Sequence, residues 1–157
     1  MNCAKTDSSV SELMSAYFCR IADTLGLPRS AALIYYVLYV SEEPLCFAEI
    51  VSRTGLSKAS GSTGLKLLER MRGVEQVLVP HDRRSFYRAE LSVLQILSGF
   101  VAANLKPGLD AGVRILDEAQ ADADDLSPLL AERLTNLCEW HQKASDLVPL
   151  LGRDGSA

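Results

Sequence analysis

Apolar residues recur every three or four positions along most of this chain, a spacing typical of amphipathic helices. After residue 73 the pattern changes to alternating apolar and polar positions, which indicates two short strands, 74–79 and 85–90. The predicted fold is therefore mainly α with a small β-hairpin. The predicted helices cover residues 10–25, 28–41, 46–54, 57–72, 92–120 and 128–151.

Capping and helix-breaking residues set the expected ends of these helices. Ser9 and Glu12 have the spacing of a capping box, so we expect the first helix to begin near residue 10. Residues 1–8 should then form a disordered arm. The pair Pro107-Gly108 should kink or break the long helix predicted over residues 92–120, because proline removes a backbone donor.

Residues 44–90 combine a short helix, a tight turn, a second helix and a hairpin. In the turn, Gly55 can adopt the positive φ that ends the first helix, and the Ser57 hydroxyl can cap the second. The hairpin has a basic tip over residues 80–84. A helix-turn-helix followed by a two-stranded wing is the plan of a winged-helix DNA-binding domain.

The second helix of this motif has two distinct sides on a helical wheel. One side is small or apolar and should face the core; it holds Gly61, Gly64, Leu65, Leu68 and Met71. The other side is hydroxylic near its N-terminus and cationic further along, which suits contacts to base edges and phosphates. The predicted DNA-binding residues of the helix and wing are Ser57, Lys58, Ala59, Ser60, Ser62, Thr63, Lys66, Arg70, His81, Arg83 and Arg84.

The alternative is that this face of the helix is an ordinary solvated surface. The wing favours the DNA-binding interpretation, because Arg83 and Arg84 at a hairpin tip suit phosphate contacts or insertion into a narrow minor groove. Asp82 has no nucleophile nearby in the sequence, so we expect it to brace the arginines and to have no catalytic role.

Together these residues resemble those of the MarR-like winged-helix transcriptional regulators, in particular the GbsR branch, named for glycine-betaine-responsive repressors. The resemblance covers roughly residues 26–90. It implies a homodimeric regulator whose control by a ligand or by redox state changes the distance between its two DNA-binding modules. Gly61 and Gly64 depart from the family's pattern, since each glycine costs a helix about 1 kcal/mol relative to alanine. The segments that carry the resemblance are Gly26-Leu27-Pro28-Arg29-Ser30, Ser41-Glu42-Glu43-Pro44-Leu45, Gly55-Leu56-Ser57-Lys58 and Val79-Pro80-His81-Asp82-Arg83-Arg84-Ser85-Phe86-Tyr87.

Charge is distributed unevenly along the 157 residues. The net charge is −4, but residues 45–90 hold eight Lys or Arg and five Asp or Glu and are net +3. An acidic body that carries a basic module is compatible with DNA binding, because the local patch makes the contacts. No apolar run reaches membrane-spanning length and the N-terminus is polar, so we expect a cytoplasmic protein without a membrane partner.

The four cysteines are scattered at positions 3, 19, 46 and 138, and none forms a C-x-x-C pair. Their spacing argues against a zinc site, and we predict no metal and no cofactor. Reduced, partly buried thiols are expected, with a redox-sensing pair as the alternative. No nucleophile–base constellation is present, so the sequence does not indicate an enzyme.

Three tyrosines, Tyr35, Tyr36 and Tyr39, lie on the second predicted helix. A tyrosine cluster can hold a quaternary ammonium ligand by cation–π attraction, which makes these residues candidates for binding a small-molecule effector. The alternative, which we favour, is that the rings belong to the core with their hydroxyls at the surface.

The terminal helices carry more apolar surface than a small winged helix needs. Apolar positions of the last helix recur at alternating steps of four and three, which is a heptad seam. We therefore predict dimerisation regions at residues 1–25 and 91–157 around a DNA-binding domain of residues 26–90; residues 152–157 should be frayed. The predicted interface residues are Val10, Met14, Tyr17, Ile21, Leu130, Leu134, Leu137, His141, Ala144 and Val148. The alternative is that the last helix packs on its own subunit.

The predicted function is that of a sequence-specific DNA-binding transcriptional regulator, acting as a homodimer on a pseudo-palindromic site. Two recognition helices would enter successive major grooves about 34 Å apart. The alternative is a winged helix that docks a protein partner and does not bind DNA; the negative net charge and the glycines at 61 and 64 favour it slightly.

Overall fold

The computed structural model describes residues 3–123 and 126–151, which fold into helices and a small sheet. The mainly α fold with a β-hairpin wing is confirmed. Two compact units divide the chain between Leu91 and Ser92. The elements are α1 (Cys3–Thr24), α2 (Arg29–Tyr39), β1 (Leu45–Cys46), α3 (Phe47–Thr54), α4 (Lys58–Arg70), β2 (Val74–Val77), β3 (Phe86–Ala89), α5 (Val93–Asn104), α6 (Lys106–Ala121) and α7 (Pro128–Leu151).

The prediction for the start of the first helix was wrong. α1 begins at Cys3, so residues 3–8 are helical and do not form a disordered arm. Ser9 and Glu12 lie inside the helix, because a capping-box spacing is also compatible with helical backbone when the preceding residues continue the helix. The expectations for residues 1–2 and 152–157 fall outside the described residues.

The core of the first unit is built around α2, the helix predicted to be apolar nearly all round. Ile34 of α2 and Ile50 of α3 are completely buried. Burial of an aliphatic side chain of this size contributes about 1.5–3 kcal/mol. Since residues of α3, α4 and the sheet pack around the same helix, α2 holds the helix-turn-helix together. The other buried members of this cluster are Ala31, Leu38, Leu45, Leu65, Leu68 and Val74.

The sheet has three antiparallel strands in the order β1-β3-β2. β1 was not predicted, because two residues are too few to show a period; its Leu45 pairs with Tyr87 of β3. The hairpin strands are shorter than predicted. Val77 of β2 pairs with Phe86 of β3, so residues 78–85 form the wing loop.

The second unit consists of α5, α6 and α7. The predicted break of the long helix is confirmed, since α5 ends at Asn104 and α6 begins at Lys106, one residue before Pro107. The Ser92 hydroxyl caps α5 by accepting from the Gln95 amide at 3.3 Å. The Ser127 hydroxyl accepts from the Leu130 amide at 3.4 Å, as expected for the start of α7. The loop predicted over 121–125 begins after Ala121, and residues 124–125 lie outside the described part.

Over the described residues, no helix is both long enough and apolar enough to cross a membrane.

Candidate nucleic-acid interface

The turn between α3 and α4 has the geometry that its residues predict. Gly55 adopts φ +69°, the left-handed conformation that favours glycine, and its amide donates to the Val51 carbonyl at 3.0 Å. The Ser57 hydroxyl accepts from the Ser60 amide at 3.1 Å and so caps α4. Both predicted roles are confirmed, and together they fix where the recognition helix begins.

The opposite end of α3 is also capped. Cys46 occupies the N-cap, and its amide donates to the Glu49 carboxylate at 2.8 Å. This hydrogen bond from the Cys46 backbone holds the pKa of Glu49 below its ordinary value. A carboxylate at the N-terminus of a helix is further favoured by the helix dipole. The helix-turn-helix is therefore closed by hydrogen bonds at both ends of α3.

The two glycines of α4 have a structural reason. A Cβ atom at Gly64 would lie 2.9 Å from Ile34 Cδ1 and 3.2 Å from the Ala31 backbone nitrogen, and one at Gly61 would lie 3.0 Å from Val51 Cγ2. Glycine is needed at these positions because α4 approaches α2 and α3 more closely than a side chain allows. The departure from the family's pattern therefore reflects tight packing, which restrains the recognition helix.

The predicted inward face of α4 is confirmed, with Gly61, Gly64, Leu65, Leu68 and Met71 all buried. The outward face is exposed at Lys58, Ala59, Thr63, Lys66 and Arg70, whereas Ser62 is half-buried. Ser57 and Ser60 are exposed, but their hydroxyls hydrogen-bond to each other at 3.0 Å. The cationic and hydroxylic groups of this helix thus share one surface, and two of the hydroxyls are engaged in the cap.

In the wing loop, Asp82 braces one arginine of the predicted pair. The carboxylate of Asp82 accepts from Arg84 Nε at 3.0 Å, from Arg84 Nη2 at 2.6 Å and from the Arg84 amide at 2.9 Å. These hydrogen bonds lower the pKa of Asp82 to about 2 and raise the pKa of Arg84. The expectation that Asp82 braces both arginines is corrected: the contacts run to Arg84.

Arg84 also ties the loop to the body of the domain. Its guanidinium lies 5.1 Å from the centre of the Phe86 ring, and its Nη1 donates to Cys46 Sγ at 3.5 Å. The Arg84 side chain is nonetheless 62% exposed. A planar guanidinium can hold a carboxylate in this way and still present a donor to solvent.

Arg83 and His81 differ from Arg84. Both are exposed, and His81 adopts φ +67°, which turns the backbone sharply at the tip of the loop. Among the residues that the structure describes, Arg83 makes no hydrogen bond or ion pair. Of the two arginines, Arg83 is thus the one whose charge is not neutralised within the loop.

Two exposed residues of this module were not predicted. Arg72 follows α4 with φ +56° and adds a cation between the recognition helix and the wing. Leu78, the first residue of the wing loop, is 90% exposed. The alternation of the strand predicted that Leu78 points outward, whereas no periodic signal marked Arg72.

The tyrosine cluster is packed around an aromatic side chain of α1. The Phe18 ring lies 5.2 Å from that of Tyr35, 6.2 Å from that of Tyr36 and 5.3 Å from that of Tyr39. Tyr36 hydrogen-bonds to Ser11 of α1, and the Tyr35 hydroxyl donates to the Glu90 carbonyl at 2.6 Å. Burial raises the pKa of Tyr35 to about 12. These contacts favour the interpretation of the tyrosines as core over that of an effector site.

Cysteine, histidine and acidic side chains are dispersed. Cys19, Cys46 and Cys138 are free thiols. Within residues 3–123 and 126–151, no group of three such side chains is placed to hold a metal ion.

Known proteins share this arrangement. Residues 21–85 match the MarR family. The transcriptional repressor GbsR of Bacillus subtilis is 27% identical over 100 residues, which cover 64% of this chain and 55% of that protein. The chain therefore spans about half the length of this curated relative.

Solved structures give the same picture of the fold. The crystal structure of a transcriptional regulator superposes with a TM-score of 0.63 at 20% identity, covering 94% of this chain and 96% of the other. A MepR F27L mutant of S. aureus bound to an oligodeoxyribonucleotide superposes with a TM-score of 0.44 at 18% identity, covering 91% and 98%.

The close-packed helix-turn-helix and its three-stranded wing define a winged helix-turn-helix domain. With the match over residues 21–85, the chain is a MarR-like winged-helix regulator. Regulators of this family are not enzymes, in agreement with the prediction from the sequence.

Proposed function

We propose that the chain is a transcriptional repressor that binds duplex DNA as a homodimer in the cytoplasm. The observation that carries this proposal is the outward face of α4, where Lys58, Thr63, Lys66 and Arg70 are exposed on a helix anchored by close packing from behind. Rigid positioning matters because base contacts require side chains held at a fixed distance from the groove. The name of the B. subtilis relative supports the repressor role.

In the proposed complex, α4 enters the major groove and the wing reaches the adjacent backbone or minor groove. Lys66 and Arg70 lie one turn apart and would neutralise phosphates, while Thr63 lies where a hydroxyl can meet a base edge. Arg83 supplies the wing's free charge. Asp82 would hold Arg84 in a defined orientation, so that little side-chain entropy is lost when it meets DNA.

The homodimer is supported by apolar residues that α1 leaves exposed. Leu13 is 68% exposed and Tyr17 is 62% exposed, and Val10 and Ile21 extend the same stripe. A contiguous exposed apolar stripe marks an interaction surface. A second copy is the natural partner, because a twofold axis would place two recognition helices on a pseudo-palindromic site.

The seam of α7 divides between two roles in this proposal. Leu130 and Leu137 are exposed and available to a partner. In contrast, Val148 is buried, and His141 lies against α6, where a Cβ at Gly112 would be 3.0 Å from its Cε1. The C-terminal part of the seam thus supports the alternative that the helix packs on its own subunit.

The competing function is that of a protein-interaction module without DNA binding. Titration of purified protein with a fluorescent random-sequence duplex at several salt concentrations separates the two. The DNA-binding proposal requires an affinity that falls steeply with salt, with a log–log slope of about −0.9 for each neutralised phosphate. Absence of binding at low salt would favour the interaction module.

A further inference from the structure

Residues of all three helices in the second unit enclose a cavity of about 230 Å³. Its walls are mostly apolar and include Val101 of α5, Leu109 of α6 and Val148 of α7. Both Leu109 and Val148 are buried. The cavity therefore lies within one unit and is defined by packing inside it.

Small side chains create this space. Ser98 and Ala102 of α5 and Ser145 of α7 line the cavity. The large apolar residues of α5 point the other way, since Leu94 is 55% and Leu97 is 48% exposed. Because α5 presents its small residues to α6 and α7, the interface between the helices is left unfilled at this point. Interiors normally leave few voids of this size.

The size of the space limits what it can hold. An apolar cavity of about 150 Å³ is enough to bind benzene. By the same scale, this cavity has room for a compact body of roughly nine non-hydrogen atoms. A peptide helix or a nucleotide is too large for it.

Charges at the rim determine which head group is favoured. Lys106 lines the cavity, and its Nζ donates to Asp110 Oδ2 at 2.7 Å. α6 begins at Lys106, so the positive end of its helix dipole lies at the same rim. An anion would meet both the Lys106 ammonium and the helix N-terminus. A cation would meet Asp110 alone, against two positive groups.

A hydroxyl is also available inside. Within the described part of the chain, the hydroxyl of Ser145 makes no hydrogen bond, so it can donate to a ligand oxygen. Ser98 is already engaged, donating to the Gln95 carbonyl at 3.1 Å.

We propose that this cavity is a binding site for a compact apolar carboxylate, such as a small aryl or branched-alkyl acid. The apolar body lies among Val101, Leu109 and Val148. The carboxylate meets Lys106 at the rim and displaces the side chain of Asp110 from it. This site is separate from the DNA-binding module, and the inference does not depend on the proposed function.

Calorimetric titration of the full chain with benzoate tests the proposal. Saturable binding in the millimolar range is expected, since a ligand of about nine atoms cannot bind much more tightly without many polar contacts. Benzamide, which has the same shape and no charge, should bind about two- to fivefold more weakly, the range for an exposed charge pair. The methyl NMR signals of Val101, Leu109 and Val148 should shift on addition of benzoate.

Two variants locate the site. Ser145→Leu fills the space and should weaken benzoate binding by at least about tenfold. Lys106→Gln removes the rim cation and should weaken it by about two- to fivefold. Lys143→Gln, which removes an exposed lysine from a similar ion pair with Glu139 of α7, is the matched control and should bind like the wild type.

The proposal is overturned if the wild type shows no saturable binding, or if Lys106→Gln and Ser145→Leu both bind benzoate as the wild type does. If Ser145→Leu fails to fold, Lys106→Gln and the methyl shifts decide, because Lys106 is exposed and its loss leaves the packing intact.

Discussion

Gly64 of α4 lies so close to Ile34 of α2 that a Cβ atom at position 64 would be 2.9 Å from Ile34 Cδ1. Ile34 is fully buried and cannot move aside without disturbing the core. This contact sets the distance between the recognition helix and the centre of the first unit, and the first prediction follows from it.

Gly64→Ala should destabilise the protein by about 1–2 kcal/mol. Overpacking a filled core costs about 1–3 kcal/mol, whereas alanine returns up to about 1 kcal/mol of helix propensity. Gly108→Ala is the matched control, because a Cβ there meets nothing within 4 Å, and it should be neutral or stabilising by up to about 1 kcal/mol. Urea unfolding measures both changes. Equal stabilisation by the two variants would show that the approach of α4 to α2 is not tight.

Arg83→Ala should weaken binding to all duplexes to a similar degree and reduce the log–log salt slope by about one unit. Its free guanidinium suits phosphate, which carries no sequence information. Arg88→Ala is the control, because Arg88 is also exposed on the wing but is paired with Glu75 at 2.8 Å. Titrations on a selected operator and a scrambled duplex measure the effect. A loss confined to the operator would instead indicate that Arg83 reads a narrow A·T-rich minor groove.

Ser62→Ala and Thr63→Ala together should erode discrimination between operator and mismatched sites while leaving the salt slope nearly unchanged. Each lost base contact should cost about 1–3 kcal/mol of discrimination. The exposed Thr63 should contribute more than the half-buried Ser62. The same titrations on operators selected from random duplexes test this. Unchanged discrimination in the double variant would remove both residues from base recognition.

Asp82 should titrate at about pH 2. Because its pKa is lowered in the folded state, its pairing with Arg84 contributes stability that is fully present above the ordinary aspartate pKa of about 3.9. That contribution is lost as the pH falls through about 2. Carboxyl carbon NMR follows the titration directly. Arg84→Ala should return the pKa of Asp82 towards its ordinary value, whereas Arg83→Ala should leave it low; an equal effect of both would contradict the assigned contacts.

Leu13→Glu should convert the proposed dimer into a monomer, since a buried unpaired carboxylate in an apolar interface costs several kcal/mol. Leu13 is 68% exposed in the single chain, so the substitution should leave the monomer folded. Ala16→Glu, on the polar side of the same helix, is the control and should remain dimeric. Sedimentation equilibrium at micromolar protein distinguishes the two states. A monomeric wild type would refute the dimer outright.

The sequence by itself determined the local elements of this protein. Gly55 and Ser57 fix the turn of the helix-turn-helix, because a positive φ and a capping hydroxyl are properties of single residues. The inward and outward faces of α4 follow from a period of 3.6, and the break before Pro107 follows from a missing amide. The DNA-contacting roles of the outward residues remain predictions.

Only the tertiary structure decided how these elements meet. Gly61 and Gly64 appear in the sequence as weak helix formers, and their value becomes evident only when Ile34 and Val51 are placed against them. The sequence likewise presents Arg83 and Arg84 as equals, whereas folding brings Cys46 and Phe86 to Arg84 alone. Such contacts join residues far apart in the chain, and a local pattern cannot encode them because it records spacing along the backbone and not distance across the core.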